Sequence, residues 1–127
     1  MQQTHLDTRG KFKILLLISG VISVASVPLF LPHFIHGHGV HTGIHMIGIT
    51  LGSFLSVVGA ITYLEYRTTR LLLIFFAFLA VTAAEILSAL NMVFLFWPSY
   101  SSVDSIMTHL LIVMMLTFFS IGIFRRD

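Results

Sequence analysis

Four stretches of this chain, 12–31, 40–63, 71–97 and 103–124, are long and apolar enough to cross a bilayer, a crossing that takes about 20 residues in a helix. Backbone polar groups in lipid find no water, so such stretches satisfy their own hydrogen bonds as helices. The linkers between them are short, which makes consecutive helices antiparallel neighbours. The expected fold class is therefore all-α, an integral membrane antiparallel four-helix bundle forming one domain over residues 1–127. No internal repeat, low-complexity segment or extramembrane domain stands out. The first stretch also has the layout of a signal sequence, with Arg9, Lys11 and Lys13 ahead of an apolar run and a small-residue site near Ala25. It is read as an anchor that stays.

Composition agrees. Hydrophobic residues make up 57% and charged residues 9%, with a mean hydropathy of +0.99; soluble domains carry about 25% charged residues. So few charges cannot cover a water-soluble globule, which excludes a soluble enzyme and a disordered tail. The pI near 9.4 comes from seven thinly spread basic residues, which make no patch for nucleic acid. Cysteine is absent, which excludes disulfides, thiolate-bound zinc, iron–sulfur clusters and thioether-attached haem.

The basic residues orient the chain. Arg9, Lys11 and Lys13 precede the first stretch, Arg67 and Arg70 lie between the second and third, and Arg125 and Arg126 follow the fourth. Four spans put all seven on one side, and basic residues mark the cytoplasmic side. Both termini are then cytoplasmic, and the chain is expected in the plasma membrane of a prokaryote. Tyr63 and Tyr66 fall at the inner interface, Trp97 and Tyr100 at the outer one.

The outer side holds the chemistry. His33, His36, His38, His41 and His45 lie within thirteen residues, and His109 follows in the fourth stretch. His5 stands alone in the basic N-terminus and reads as a solvated bystander. If the second stretch enters the apolar layer at Val40, His45 lies roughly 7–8 Å inside, and His109 roughly 9 Å inside from Val103. The two are thus level. His41 shares a helix face with His45, and Gly48, Gly52, Ser56 and Gly59 continue that face. This small-residue groove has two readings. One is close helix packing. The other is a slot for b-type haem, with His45 and His109 as axial imidazoles, His41 as a substitute or supporting group, and Gly48 and Gly52 where the ring passes. A third reading is a copper or zinc site drawn from His36, His38, His41, His45, Asp104 and His109, since imidazole and carboxylate suit both ions. Surface histidines that titrate singly are the plainer alternative for His33, His36 and His38.

Glu85 sits near the middle of the third stretch, where a carboxylate is costly unless it faces protein. It reads as a proton relay or ligand-orienting group, or as a group hydrogen-bonded to a neighbouring helix. Counted along the helix, it is expected about 10 Å from the plane of His45 and His109, too far to share their centre. Ser19, Ser23, Ser26, Phe30 and His33 mark the packed face of the first helix, which Pro28 and Pro32 are expected to kink or end. Met107, Met114, Met115, Phe118 and Phe119 read as packing or lipid-facing groups. No nucleophile–base motif is visible, so catalysis by the isolated chain is not expected.

With its four spans, and with His41 or His45 on the second helix and His109 on the fourth, the layout resembles small four-span membrane b-type cytochromes. That resemblance implies one non-covalent haem and electron transfer. The stretch Tyr63-Leu-Glu-Tyr66-Arg-Thr-Thr-Arg70 before an apolar helix is also similar to short archaeal membrane proteins, which implies no activity. The expected partners are the lipid bilayer and either other membrane subunits or further copies of the chain. One alternative is an accessory subunit of a larger membrane complex, such as a terminal oxidase or a copper monooxygenase, with a copper, zinc or purely structural histidine site. Proton or metal-ion transport through Glu85 in an oligomer is another.

Overall fold

The structure, a computed structural model, describes residues 7–98 and 103–126, with the side chains of His38 and Asp104 outside that description. His5 and Tyr100 also fall outside it. The described residues form four helices and no strand: α1 (Thr8–His33), α2 (Gly39–Tyr66), α3 (Thr69–Phe94) and α4 (Val103–Phe124). All four are long and apolar enough to cross a membrane.

The chain ends its helices by local means. Asp7 caps α1 by accepting from the Gly10 amide at 2.7 Å, and Thr68 caps α3 by accepting from the Leu71 amide at 3.3 Å. Such side-chain acceptors replace the missing partners of the first helical amides. Arg67 and Leu95 both take left-handed backbone angles, φ 54° and 50°, and stop α2 and α3. Leu95 therefore ends α3 at Phe94, three residues short of the expected Trp97. The Asn91 side chain accepts from the Trp97 amide at 3.1 Å and holds the outgoing chain against the helix end.

Of the two expectations for the prolines, a kink or an end of α1, the second is not met. Pro28 and Pro32 both lie inside it. The break comes later, in one π-type turn, Phe34–His38, where Gly37 adopts φ 91°. Glycine tolerates that angle because it has no Cβ, so this residue reverses the chain into α2.

The helices do not close into a four-cornered bundle. α1 packs on α2, α2 on α3 and α3 on α4, while α2 and α4 share α3 as their neighbour instead of packing extensively on each other. The result is an antiparallel row with α3 inside it. α3 suits that place, because Ala77, Ala80, Thr82, Ala84 and Ala89 are buried and small side chains let neighbouring backbones approach. Phe76 and Phe78 of α3 meet Phe118 and Phe119 of α4, which confirms those two α4 aromatics as packing groups. Ser19, Ser23 and Ser26 line the groove between α1 and α2, and Phe30 is buried.

The glycine stripe of α2 is the α2–α3 seam. A Cβ at Gly52 would lie 2.5 Å from Thr82 Oγ1 and 3.3 Å from the Thr82 Cα. Rotating the Thr82 side chain cannot relieve the second contact. Gly20 on α1 has nothing within 4 Å of the same position. Gly52→Ala is therefore expected to lower the unfolding midpoint in detergent by the cost of overpacking, about 1–3 kcal/mol. Gly20→Ala is expected to leave it unchanged or raise it, by up to about 1 kcal/mol of helix propensity. Equal midpoints for the two variants would contradict the seam.

Candidate functional site

The site is built on the first two turns of α2 and the C-terminal half of α3. His41 and His45 are four residues apart and lie on one face of α2. The His45 Nδ1–H donates to Glu85 Oε2 at 2.8 Å, which leaves Nε2 as the lone-pair nitrogen of a neutral ring. That atom accepts a 3.2 Å hydrogen bond from the His41 Nε2–H. The two rings stand at 89° to each other with centroids 4.7 Å apart, so the nitrogens meet edge to face without stacking. The pair is graded from wet to dry: His41 is exposed, whereas the side chain of His45 is 15% exposed and that of Glu85 31%.

Glu85 reaches His45 because Gly48 makes room. A Cβ at Gly48 would lie 2.9 Å from the Glu85 carboxyl carbon. The expectation that Glu85 lies about 10 Å from His45 along the helix axis is thus overturned by a direct hydrogen bond. The reason is the early end of α3. Measured from Phe94 instead of Trp97, Glu85 moves about 4.5 Å toward the C-terminal end of α3, and its side chain covers the remaining gap.

One turn further down the seam, Ser56 Oγ donates to the Gly52 carbonyl at 2.8 Å and Thr82 Oγ1 to the Phe78 carbonyl at 2.7 Å, with the two hydroxyls 3.3 Å apart. Gly59 meets Phe75 and Phe78. Side chains of α3 therefore fill the groove at Gly48, Gly52 and Gly59. A porphyrin between α2 and α4 would need that space, so the residues do not fit a haem held within one chain.

The remaining histidines are separate. His33 Nε2–H donates to the Met92 carbonyl at 3.2 Å, one of the last carbonyls of α3, which have no partner inside the helix. Its Nδ1 is buried without a hydrogen-bond partner. His36 Nδ1–H donates to the Pro32 carbonyl at 2.8 Å. His109 Nδ1–H donates to the Ser105 carbonyl at 2.6 Å, and the ring is exposed on α4. No described bond joins His109 to His41 or His45. Among the described residues, no group of three or more His, Cys, Asp or Glu side chains converges on one point.

Two features escaped the sequence. The pairing of His45 with Glu85 was signalled by Gly48, the residue one turn below His45 and too small to block the carboxylate. The anchoring of His33 on α3 depends on the turn at Gly37 and had no local signal.

No known protein family matches the chain, and neither a curated protein nor a solved structure does.

Glu85→Ala leaves the His45 Nδ1–H without its acceptor. It is expected to lower stability in detergent by about 1–3 kcal/mol, the usual cost of an unsatisfied buried polar group. Glu85→Gln keeps an acceptor oxygen and is expected to lose less. A Glu85→Ala protein as stable as the parent would show that the bond contributes nothing to the fold.

Proposed function

We propose that the protein is a multi-pass membrane subunit that holds one copper or zinc ion between His41 and His45 in the extracytoplasmic half of the bilayer. The observation that carries this reading is the 3.2 Å hydrogen bond between the two Nε2 atoms, a spacing at which an ion can take the place of the shared proton. Two imidazoles bound to one ion at about 2.0–2.1 Å in tetrahedral geometry place their nitrogens about 3.3 Å apart. Glu85 supports the same reading, since a carboxylate on the far nitrogen fixes the tautomer and orientation of a metal-bound histidine. Imidazole suits both ions. His41 gives access from the exposed side, and His45 gives a fixed, drier ligand.

The chain's own residues account for two ligands. The other positions on the ion are left to water or to another polypeptide, as in sites where an ion exchanges or reacts and unlike closed structural sites. The orientation rests on the basic residues: Arg9, Lys11, Lys13, Arg67, Arg70, Arg125 and Arg126 share one end of the row, and that end is cytoplasmic. A membrane complex that handles copper or zinc is the setting in which such a subunit acts.

Protein purified in detergent and dialysed against zinc or cuprous ion is expected to retain about one ion per chain, in keeping with a single two-histidine site. His41→Ala and His45→Ala are expected to abolish retention, and Glu85→Ala to weaken it about 10–100-fold, as supporting carboxylates do. Retention that ignores all three substitutions would overturn the reading. An absorption band of bound haem that disappears in His45→Ala or His109→Ala would replace it with the cytochrome reading.

A further inference from the structure

Resting on that metal reading, we propose that the ion is shared between two copies of the chain, with His41 and His45 from one copy and His109 from the other. Three observations meet here.

The first is that the His41–His45 pair is incomplete. A nitrogen separation of 3.2 Å subtends a bent angle at the ion, near tetrahedral. A two-ligand linear site would need the nitrogens further apart. At least one more donor is called for, and no third His, Asp or Glu side chain converges on the pair among the described residues.

The second is that His109 is prepared as a ligand and its Nε2 has no hydrogen-bond partner among the described residues. Its Nδ1–H is committed to the Ser105 carbonyl at 2.6 Å. That hydrogen bond leaves Nε2 as the lone-pair nitrogen, the form in which a neutral imidazole binds a metal. The ring is exposed on a helix apolar enough to cross a membrane. A polar ring nitrogen facing lipid is costly and calls for a partner.

The third is depth. His45 is tied to Glu85 of α3, and Thr108 is tied to Ser88 of α3 by a 3.0 Å hydroxyl bond. Glu85 and Ser88 are three residues apart, about 4.5 Å along the axis. His109 lies one residue deeper than Thr108, so it stands within about one turn of the His45 level. Within one chain α2 and α4 both pack on α3. Two copies that lie side by side in the same orientation keep this common depth, so no tilt of either chain is needed for His109 of one copy to reach the ion of the other. The Nε2 of His36 also lacks a hydrogen-bond partner among the described residues, but it sits in the turn at the end of the helices, where water can satisfy it.

The test is complementation between copies, read with zinc as the probe. Two differently tagged chains are co-expressed, one carrying His109→Ala and the other His41→Ala with His45→Ala. The mixed assembly is isolated through both tags. Each variant alone is expected to bind zinc at least ten-fold more weakly than the parent. The mixed assembly rebuilds one complete site of two, so it is expected to hold half the parental zinc per chain at parental affinity. Variants with Gln in place of Ala, checked for parental helix content, guard against loss of fold. Parental protein that binds zinc as a monomer, or a mixed assembly with no recovery, would overturn the shared site and leave the His41–His45 reading standing. Parental protein that binds no zinc would overturn both.

Discussion

The hydrogen bond from His45 to Glu85 joins the two most expensive side chains in the apolar part of the protein. Neither tolerates lipid alone. Paired at 2.8 Å, each satisfies the other, and the pair sets how α2 lies against α3. Sliding α2 by one turn would set the carboxylate against Gly52 or His41 and leave His45 unpartnered. The glycine at position 48 is what permits the contact, since a Cβ there would collide with the carboxylate. Packing register and site geometry are therefore the same decision.

The seam has a consequence for architecture. α3 carries small residues at Ala77, Ala80, Ala84 and Ala89, so it accepts α2 and α4 as close neighbours. The chain becomes a row with α3 inside it. In the row, His109 is exposed, and its hydrogen bonds among the described residues stay within its own helix. The α1–α2 turn is tied back to α3 by His33 on the Met92 carbonyl, which steadies the segment leading into His41.

Much of this was legible in the residues, and the misses have physical causes. Hydropathy and length suffice to find four helices, because a lipid-facing helix needs a continuous apolar surface. The ends of α3 and α1 were misplaced. Leu95 takes a left-handed angle that nothing in its side chain announces, and Pro28 and Pro32 are accommodated within a helix that Gly37 breaks instead. α3 ends three residues earlier than its hydropathy suggests, which brings Glu85 toward the level of His45. The glycine stripe admitted two readings, helix packing or a haem slot, since small residues serve both. Contact with Glu85, Thr82 and Phe75 decides for packing.

The sequence by itself determined the all-α class, the four apolar helices, the gathering of basic residues at one end and six of the seven histidines at the other, and the common face of His41 and His45. These follow from local periodicity and from the cost of polar groups in lipid. Only the tertiary structure decided which helices touch, that Glu85 orients His45, and that the two Nε2 atoms face each other while His109 stands apart. Such facts depend on helix ends and on which small residue meets which neighbour. An error of a few ångströms along a helix axis is enough to change the partner, and no single stretch of sequence holds that distance.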